Sequence, residues 1–135
     1  MFTRNAVLFA NEAFYRAFAS ADLAAMDDLW SRESQVTCIH PGWHPLTNRE
    51  HIMQVWQGVF TQGNQAPVAC RAPEVYVMGE AAFVICYEQL PDAMLVATNI
   101  FRLENNLWRL VHHQSGPTPI QPEQLPHETL SEAIN

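Results

Sequence analysis

Two histidines stand side by side in LVHHQSG (His112 and His113), and two more punctuate CIHPGWHPL (His40 and His44). Imidazole is the side chain whose ordinary pKa lies nearest neutrality, so it can serve as general base, proton shuttle or metal ligand. The spacing speaks against a metal. Pro41 and Gly42 keep His40 and His44 off a common helix face, and adjacent strand residues such as His112 and His113 point to opposite sides of a sheet. Neither a metal nor a cofactor is expected. Acid–base chemistry needs instead a carboxylate or amide beside the imidazole, and neighbouring strands must supply it. Ser115 in QSG has no GxSxG surroundings and is placed on the outer face, so it is not read as a nucleophile.

The elements that would position these groups follow from the apolar periodicity. Val7, Leu8, Ala10, Phe14, Ala17 and Phe18 recur at helical spacing over 5–20, and Leu23, Met26, Leu29 and Trp30 do so over 23–30, with Asp22 as N-cap between them. Residues 35–40 alternate as a strand, which the proline-glycine cluster ends. Asn48 is the next N-cap, opening a third helix with the stripe Ile52, Val55, Trp56 and Phe60. The period then changes to two, and strands are predicted near 68–78, 81–89, 94–104 and 107–115, joined by short turns. Three helices followed by an antiparallel meander define an α+β domain, residues 1–117, with the helices on one face of a curved sheet. Residues 118–135, rich in proline and polar side chains, read as a tail that is disordered or wraps a neighbour.

Turn chemistry sets the inward face. With Asn105-Asn106 as a two-residue hairpin turn, Leu103 opposes Trp108, Phe101 opposes Leu110, and Asn99 opposes His112. Gln114 shares that face. Taking Pro91-Asp92 likewise as a two-residue turn brings Glu88, Cys86 and Val84 inward, whereas a three-residue loop would bring Tyr87 instead. Under the first choice Glu88, Asn99, His112 and Gln114 form a polar cluster at one end of an apolar groove, the arrangement of a small-molecule site. His112, Glu88 and Asn99 are the candidate catalytic residues. Gln114, Trp56, Phe18 and Phe101 are expected at the pocket wall, and His40 and Trp43 at its mouth.

Composition narrows the function classes. Fourteen acidic residues against seven basic ones give a formal charge of −7, and all seven basic residues are scattered arginines. A nucleic-acid binder needs a basic patch, so nucleic acid is excluded as a partner, and anionic membrane surfaces with it. No stretch approaches the ~20 apolar residues of a membrane span. Three cysteines without CxxC spacing read as buried free thiols in a reducing cytoplasm. Charged residues make up 16% of the chain, below the ordinary ~25%, which points to hidden surface in a cavity, a dimer interface or both.

VTCIHPGW ahead of the third helix, NREHIMQVW within it and the closing WRLVHHQSG resemble the SnoaL-like branch of the nuclear-transport-factor-2-like superfamily. LWRLVHHQSGPTP is also similar to the end of the association domain of calcium/calmodulin-dependent protein kinase II. The resemblance covers about residues 5 to 117. It implies a cone-shaped α+β barrel with a pocket between helices and concave sheet, and a homodimer through the outer sheet face. It also implies either cofactor-free lyase or isomerase chemistry on a small apolar molecule with a polar end, or a non-catalytic assembly or ligand-sensing role.

Overall fold

The computed structural model describes residues 2–62 and 67–126. Helix α1 (Phe2–Ser20) leads through Ala21, at φ 55°, into α2 (Leu23–Leu29). Asp22 caps α2 by accepting a hydrogen bond from the Ala25 amide at 3.1 Å, and Asn48 caps α3 (Arg49–Thr61) by accepting from His51 at the same distance. Both caps stand where the sequence places them. Between these helices lies the short strand β1 (Thr37–Ile39). Four longer strands follow, β2 (Ala69–Met78), β3 (Ala81–Leu90), β4 (Ala93–Glu104) and β5 (Leu107–Pro117), in the sheet order β1-β5-β4-β3-β2.

The meander β2 to β5 is antiparallel, as expected, but β1 joins β5 in parallel, so the sheet is mixed. The long connection from β1 to β5, through α3 and the strands β2 to β4, makes this possible, since a parallel neighbour cannot be reached by a tight turn. The helices cover one face of the curved, open sheet. Between the layers lies an apolar core that includes Val7, Phe14, Met26, Trp30, Ile52, Trp56, Phe101 and Leu110.

Arg49, from NREHIMQVW, ties α3 to the end of α2. Its guanidinium donates to Asp27 Oδ1 and to the carbonyls of Asp27, Trp30 and Ser31, satisfying groups a helix end would otherwise leave unpaired. Residues 118–126 lie back on their own chain: the Thr118 amide donates to the Met94 carbonyl at 3.0 Å, and Arg71 reaches the Pro122 carbonyl at 3.2 Å. The rest of the predicted tail, 127–135, lies outside the described residues.

Both turns that set the register have the expected length. Asn105 and Asn106 take φ of 51° and 66°, the left-handed pair of a type I′ turn, and Leu90 pairs with Ala93 across Pro91-Asp92. The second pairing turns Val84, Cys86 and Glu88 inward, where all three are buried. On β5 the expected register holds only from the turn to Leu110. Phe101 pairs with Leu110 but Ile100 pairs with His112, so Val111 is an extra residue, a β-bulge. Beyond it the alternation is inverted. His113 and Ser115 point inward; His112 and Gln114 point out.

Candidate active site

Six polar side chains converge in the core from four elements. Asn11 and Tyr15 lie one turn apart on the buried face of α1, Glu88 comes from β3, Asn99 from β4, and His113 and Ser115 from β5 beyond the bulge. Each is less than a tenth exposed. Such burial is costly unless the groups satisfy one another, and here they form a continuous chain.

The chain has a direction. The Asn99 amide nitrogen donates to Asn11 Oδ1 at 2.9 Å and to the Tyr15 hydroxyl at 3.1 Å. That orientation turns Asn99 Oδ1 toward His113, whose Nδ1 lies 2.6 Å away and must be the donor. The network thus assigns the His113 proton to Nδ1. The Tyr15 hydroxyl, accepting from Asn99, donates its own proton to Glu88 Oε2 at 2.7 Å. Ser115 also hydrogen-bonds the Glu88 carboxyl.

His113 Nε2 is left carrying the lone pair, 3.8 Å from Glu88 Oε2. Burial raises the pKa of Glu88, against the opposing pull of the Tyr15 and Ser115 hydrogen bonds. Burial, with the nearby His40 and His112 adding to it, pushes His113 down to about 3. Both shifts run toward the uncharged forms of the two groups. Tyr15, whose pKa burial raises well above its ordinary value, keeps its proton as a donor.

Two thiols border this chain. Cys86 Sγ lies 3.3 Å from the Tyr15 hydroxyl, and Asn11 donates to Cys70 Sγ at 3.6 Å. All three cysteines are free; burial pushes Cys38 up to about 12, and the neighbouring Cys86 together with burial raises Cys70, so neither of these two is poised as a thiolate. Among the described residues, no group of three or more His, Cys, Asp or Glu side chains could hold a metal ion.

Aromatic rings close the cluster on the helix side. His113 has Phe14 at 4.9 Å, Trp56 at 6.2 Å and His40 at 6.3 Å between ring centroids. Trp56 is fully buried against Phe18, Phe60 and His40. His40, half-buried and held by desolvation below its ordinary pKa, leads outward to Trp43, which is 49% exposed and stacks on the exposed His44. CIHPGWHPL therefore forms a wall that runs from the cluster to solvent. A groove of about 690 Å³ lies elsewhere, between α2 and α3, and is lined by Leu23, Asp27, Arg49 and Met53 among others.

The structure brings together Glu88 and Asn99 of the expected catalytic set and corrects the third. His112 is on the outer face, its Nδ1 2.6 Å from Thr37 Oγ1 and its Nε2 3.3 Å from Gln114 Oε1. Gln114 is exposed and leaves the pocket wall; Ser115 replaces it, inside rather than outside. The bulge at Val111 is the cause of all three changes. Phe18, Trp56, His40 and Trp43 stand on the side expected of them, while Phe101 is buried in the core beneath. Asn11 and Tyr15 escape a reading that follows apolar residues only. Their i, i+4 spacing on the stripe of Val7, Phe14 and Phe18 is the signal that marks them.

Helices on a curved open sheet, with a buried polar cluster facing them, define a cone-type α+β protein with an interior polar site. Residues 7–120 match the SnoaL-like domain, and the chain belongs to that family, within the nuclear-transport-factor-2-like superfamily. The chain is 25% identical over 125 residues to the F-box protein SKIP8 of Arabidopsis thaliana. That match takes in 91% of this chain but 54% of the plant protein, so the chain spans about half of that relative's length. Among solved structures, it is similar to a candidate dehydratase of the same superfamily from Streptomyces avermitilis, with a TM-score of 0.80 and 27% identity. That likeness covers 88% of this chain and 98% of the other. A candidate calcium/calmodulin-dependent protein kinase type II association domain from Thiobacillus denitrificans gives a TM-score of 0.74 and 29% identity, over 81% and 92% of the two chains.

Proposed function

We propose that this chain is a cofactor-free acid–base enzyme of the lyase or isomerase kind, acting on a small, largely apolar molecule with one polar end. The observation that carries this reading is the His113–Glu88 pair: Asn99 holds the proton on His113 Nδ1, so the Nε2 lone pair lies 3.8 Å from the Glu88 carboxyl in an apolar interior. In a dehydration, His113 Nε2 takes a proton from the carbon next to a carbonyl. The released electron pair forms the new carbon–carbon double bond as the β-hydroxyl departs, and Glu88 gives that hydroxyl its proton, so water leaves. The proton on His113 then returns to Glu88 across the 3.8 Å gap, restoring both groups. In an isomerisation the same base moves a proton between two carbons. The similarity to a candidate dehydratase supports the reading.

The interior is closed by Trp56 and Phe14, so admission requires the partly exposed rim of Phe18, His40 and Trp43 to swing aside. We assign the protein to the cytoplasm, where Cys38, Cys70 and Cys86 stay reduced, and to a homodimer joined by its outer sheet face. A non-catalytic assembly role is the second reading, favoured by the likeness to the kinase association domain.

The test uses 1-indanone, a small ring ketone with acidic protons next to its carbonyl. In heavy water the protein is expected to exchange those protons for deuterium well above the buffer rate, followed by NMR. Exchange at the buffer rate for 1-indanone and for a panel of other cyclic ketones would reject the catalytic reading and leave assembly.

A further inference from the structure

On the outer face of the sheet, away from the buried cluster, a hydroxyl, an imidazole and an amide form a short relay. Strands β1 and β5 run in parallel, with Thr37 opposite His112 and Ile39 opposite Gln114. Thr37 Oγ1 lies 2.6 Å from His112 Nδ1, and His112 Nε2 lies 3.3 Å from Gln114 Oε1. An amide oxygen only accepts, so the imidazole proton sits on Nε2. Nδ1 then holds the lone pair, and the Thr37 hydroxyl donates to it. A hydroxyl donating to a neutral imidazole, whose other nitrogen a third group holds, is the arrangement that turns an alcohol into a nucleophile. Thr37 and His112 are half-buried and Gln114 is exposed, so the relay is open to a reactant.

We propose that Thr37 is a second reactive centre, which accepts a short acyl group from an activated ester or thioester, with His112 as its general base and Gln114 as the positioning residue. Thr37 Oγ1 attacks the acyl carbon as its proton passes to His112 Nδ1. The bond from that carbon to the leaving oxygen or sulfur breaks, and His112 gives the proton to the departing group, leaving an acyl-threonine. Water then attacks the new ester, His112 Nδ1 takes its proton and returns it to Thr37 Oγ1, and a carboxylic acid leaves. The neighbouring Cys38 amide is committed to the Leu46 carbonyl at 2.9 Å and does not help hold the oxyanion. The acyl donor must therefore bring a good leaving group. Ile100, paired with His112, and Ile39, paired with Gln114, are both half-buried and flank the relay with a small apolar bed. A short acyl chain fits that bed.

The experiment treats the full chain with 4-nitrophenyl acetate, follows release of 4-nitrophenolate, and maps the acetylated residues by peptide mass spectrometry after an acid quench. In wild type the acetyl group is expected on Thr37, a result read without any variant. Thr37→Val keeps the branched shape and removes the hydroxyl, so it should lose the adduct, while Thr37→Ser should keep it. His112→Gln should slow acetylation of Thr37 about 100-fold, the worth of a general base. Gln114→Leu should slow it as well, and Gln114→Glu, which keeps an acceptor beside Nε2, should restore it. Acetyl groups found on His112 or elsewhere but never on Thr37 overturn the proposal, as does an unchanged rate of Thr37 acetylation in His112→Gln. Failure of Gln114→Glu to restore the rate overturns the positioning role of Gln114. None of these readouts involves the interior cluster, so the acid–base reading stands or falls separately.

Discussion

Nδ1 of His113 lies 2.6 Å from Oδ1 of Asn99, and this one contact decides which nitrogen of the imidazole is free to act. Asn99 cannot turn its amide around, because its nitrogen is already committed to Asn11 and Tyr15. His113→Gln and His112→Gln should therefore behave differently, although the two residues are neighbours. Loss of the base is expected to lower deuterium exchange into 1-indanone by about 100-fold or more. His112, on the outer face with Thr37 and Gln114, should leave it within about twofold of wild type. Equal loss in both variants would mean that β5 responds to disruption in general and that His113 has no special role.

Tyr15 joins the two halves of the network, accepting from Asn99 and donating to Glu88. Tyr15→Phe keeps the ring against Phe14 and removes only the hydroxyl, leaving one amide proton and one carboxyl oxygen without their partner. A stability loss of about 1–3 kcal/mol is expected from urea denaturation. The Tyr15 bond pulls the Glu88 pKa down, so its loss should raise that pKa further above the ordinary carboxylate range. ¹³C NMR titration of the Glu88 carboxyl checks the direction, and a fall would contradict the assigned donor.

Much of this arrangement can be read from the sequence, and the part that cannot has a single physical origin. Asp22 and Asn48 mark helix starts because their side chains satisfy exposed amides, and Asn105-Asn106 marks a hairpin because both residues tolerate positive φ. These are local effects, fixed by the residues themselves. Glu88 and Asn99 follow by counting from such turns, since strand alternation is strict while the ladder is regular. A bulge breaks the count without a local signature. Nothing in LWRLVHHQSG distinguishes Val111 from its neighbours, and the extra residue falls between two parallel attachments of β5, the bridge from Leu110 to Trp30 and the pairing of His112 to Gln114 with β1. One residue of slip exchanges His112 for His113. Asn11 and Tyr15 lie on the helix face that the apolar stripe of α1 defines, and only their buried polar partners give them meaning.

The titration of His113 should shape stability at low pH. Its folded-state pKa is lowered to about 3, against an ordinary unfolded value near 6.5. The unfolded chain thus binds a proton more readily, and the contribution of neutral His113 is complete above about pH 6.5 and lost as pH falls toward 3. His40, also lowered by burial, acts in the same sense. Glu88 acts in the opposite sense, since its raised pKa favours the fold on the acid side of its own titration. Within the window from about 6.5 to 3, wild type should lose up to about 1.4 kcal/mol per pH unit to His113 alone. His113→Gln, less stable at pH 7, should show a flatter acid limb in thermal melts across the same range. Parallel limbs would show that His113 titrates normally in the folded chain.

The outer face of the sheet gives the last expectation. Three cross-strand pairs, Phe83 with Ile100, Ile85 with Thr98 and Tyr87 with Val96, lie side by side on β3 and β4, opposite the face that the helices cover. Each is only partly buried in the single chain, and Ile85 is 36% exposed. A continuous apolar strip on an uncovered sheet is expensive to leave in water and is of the composition that forms dimer cores. Two copies facing each other would bury it by a two-fold axis, matching each strip to itself. Sedimentation velocity should then report a mass near twice the 15.3 kDa of one chain. Ile85→Glu places a charge at the centre of the strip and should yield monomers at micromolar concentration. The His113–Asn99–Tyr15–Glu88 chain lies on the other face, so the monomer should retain it, with an unchanged His113 Nδ1–H resonance. A wild-type protein that sediments as a monomer would remove the dimer, and an Ile85→Glu variant that still dimerises would place the interface on another face.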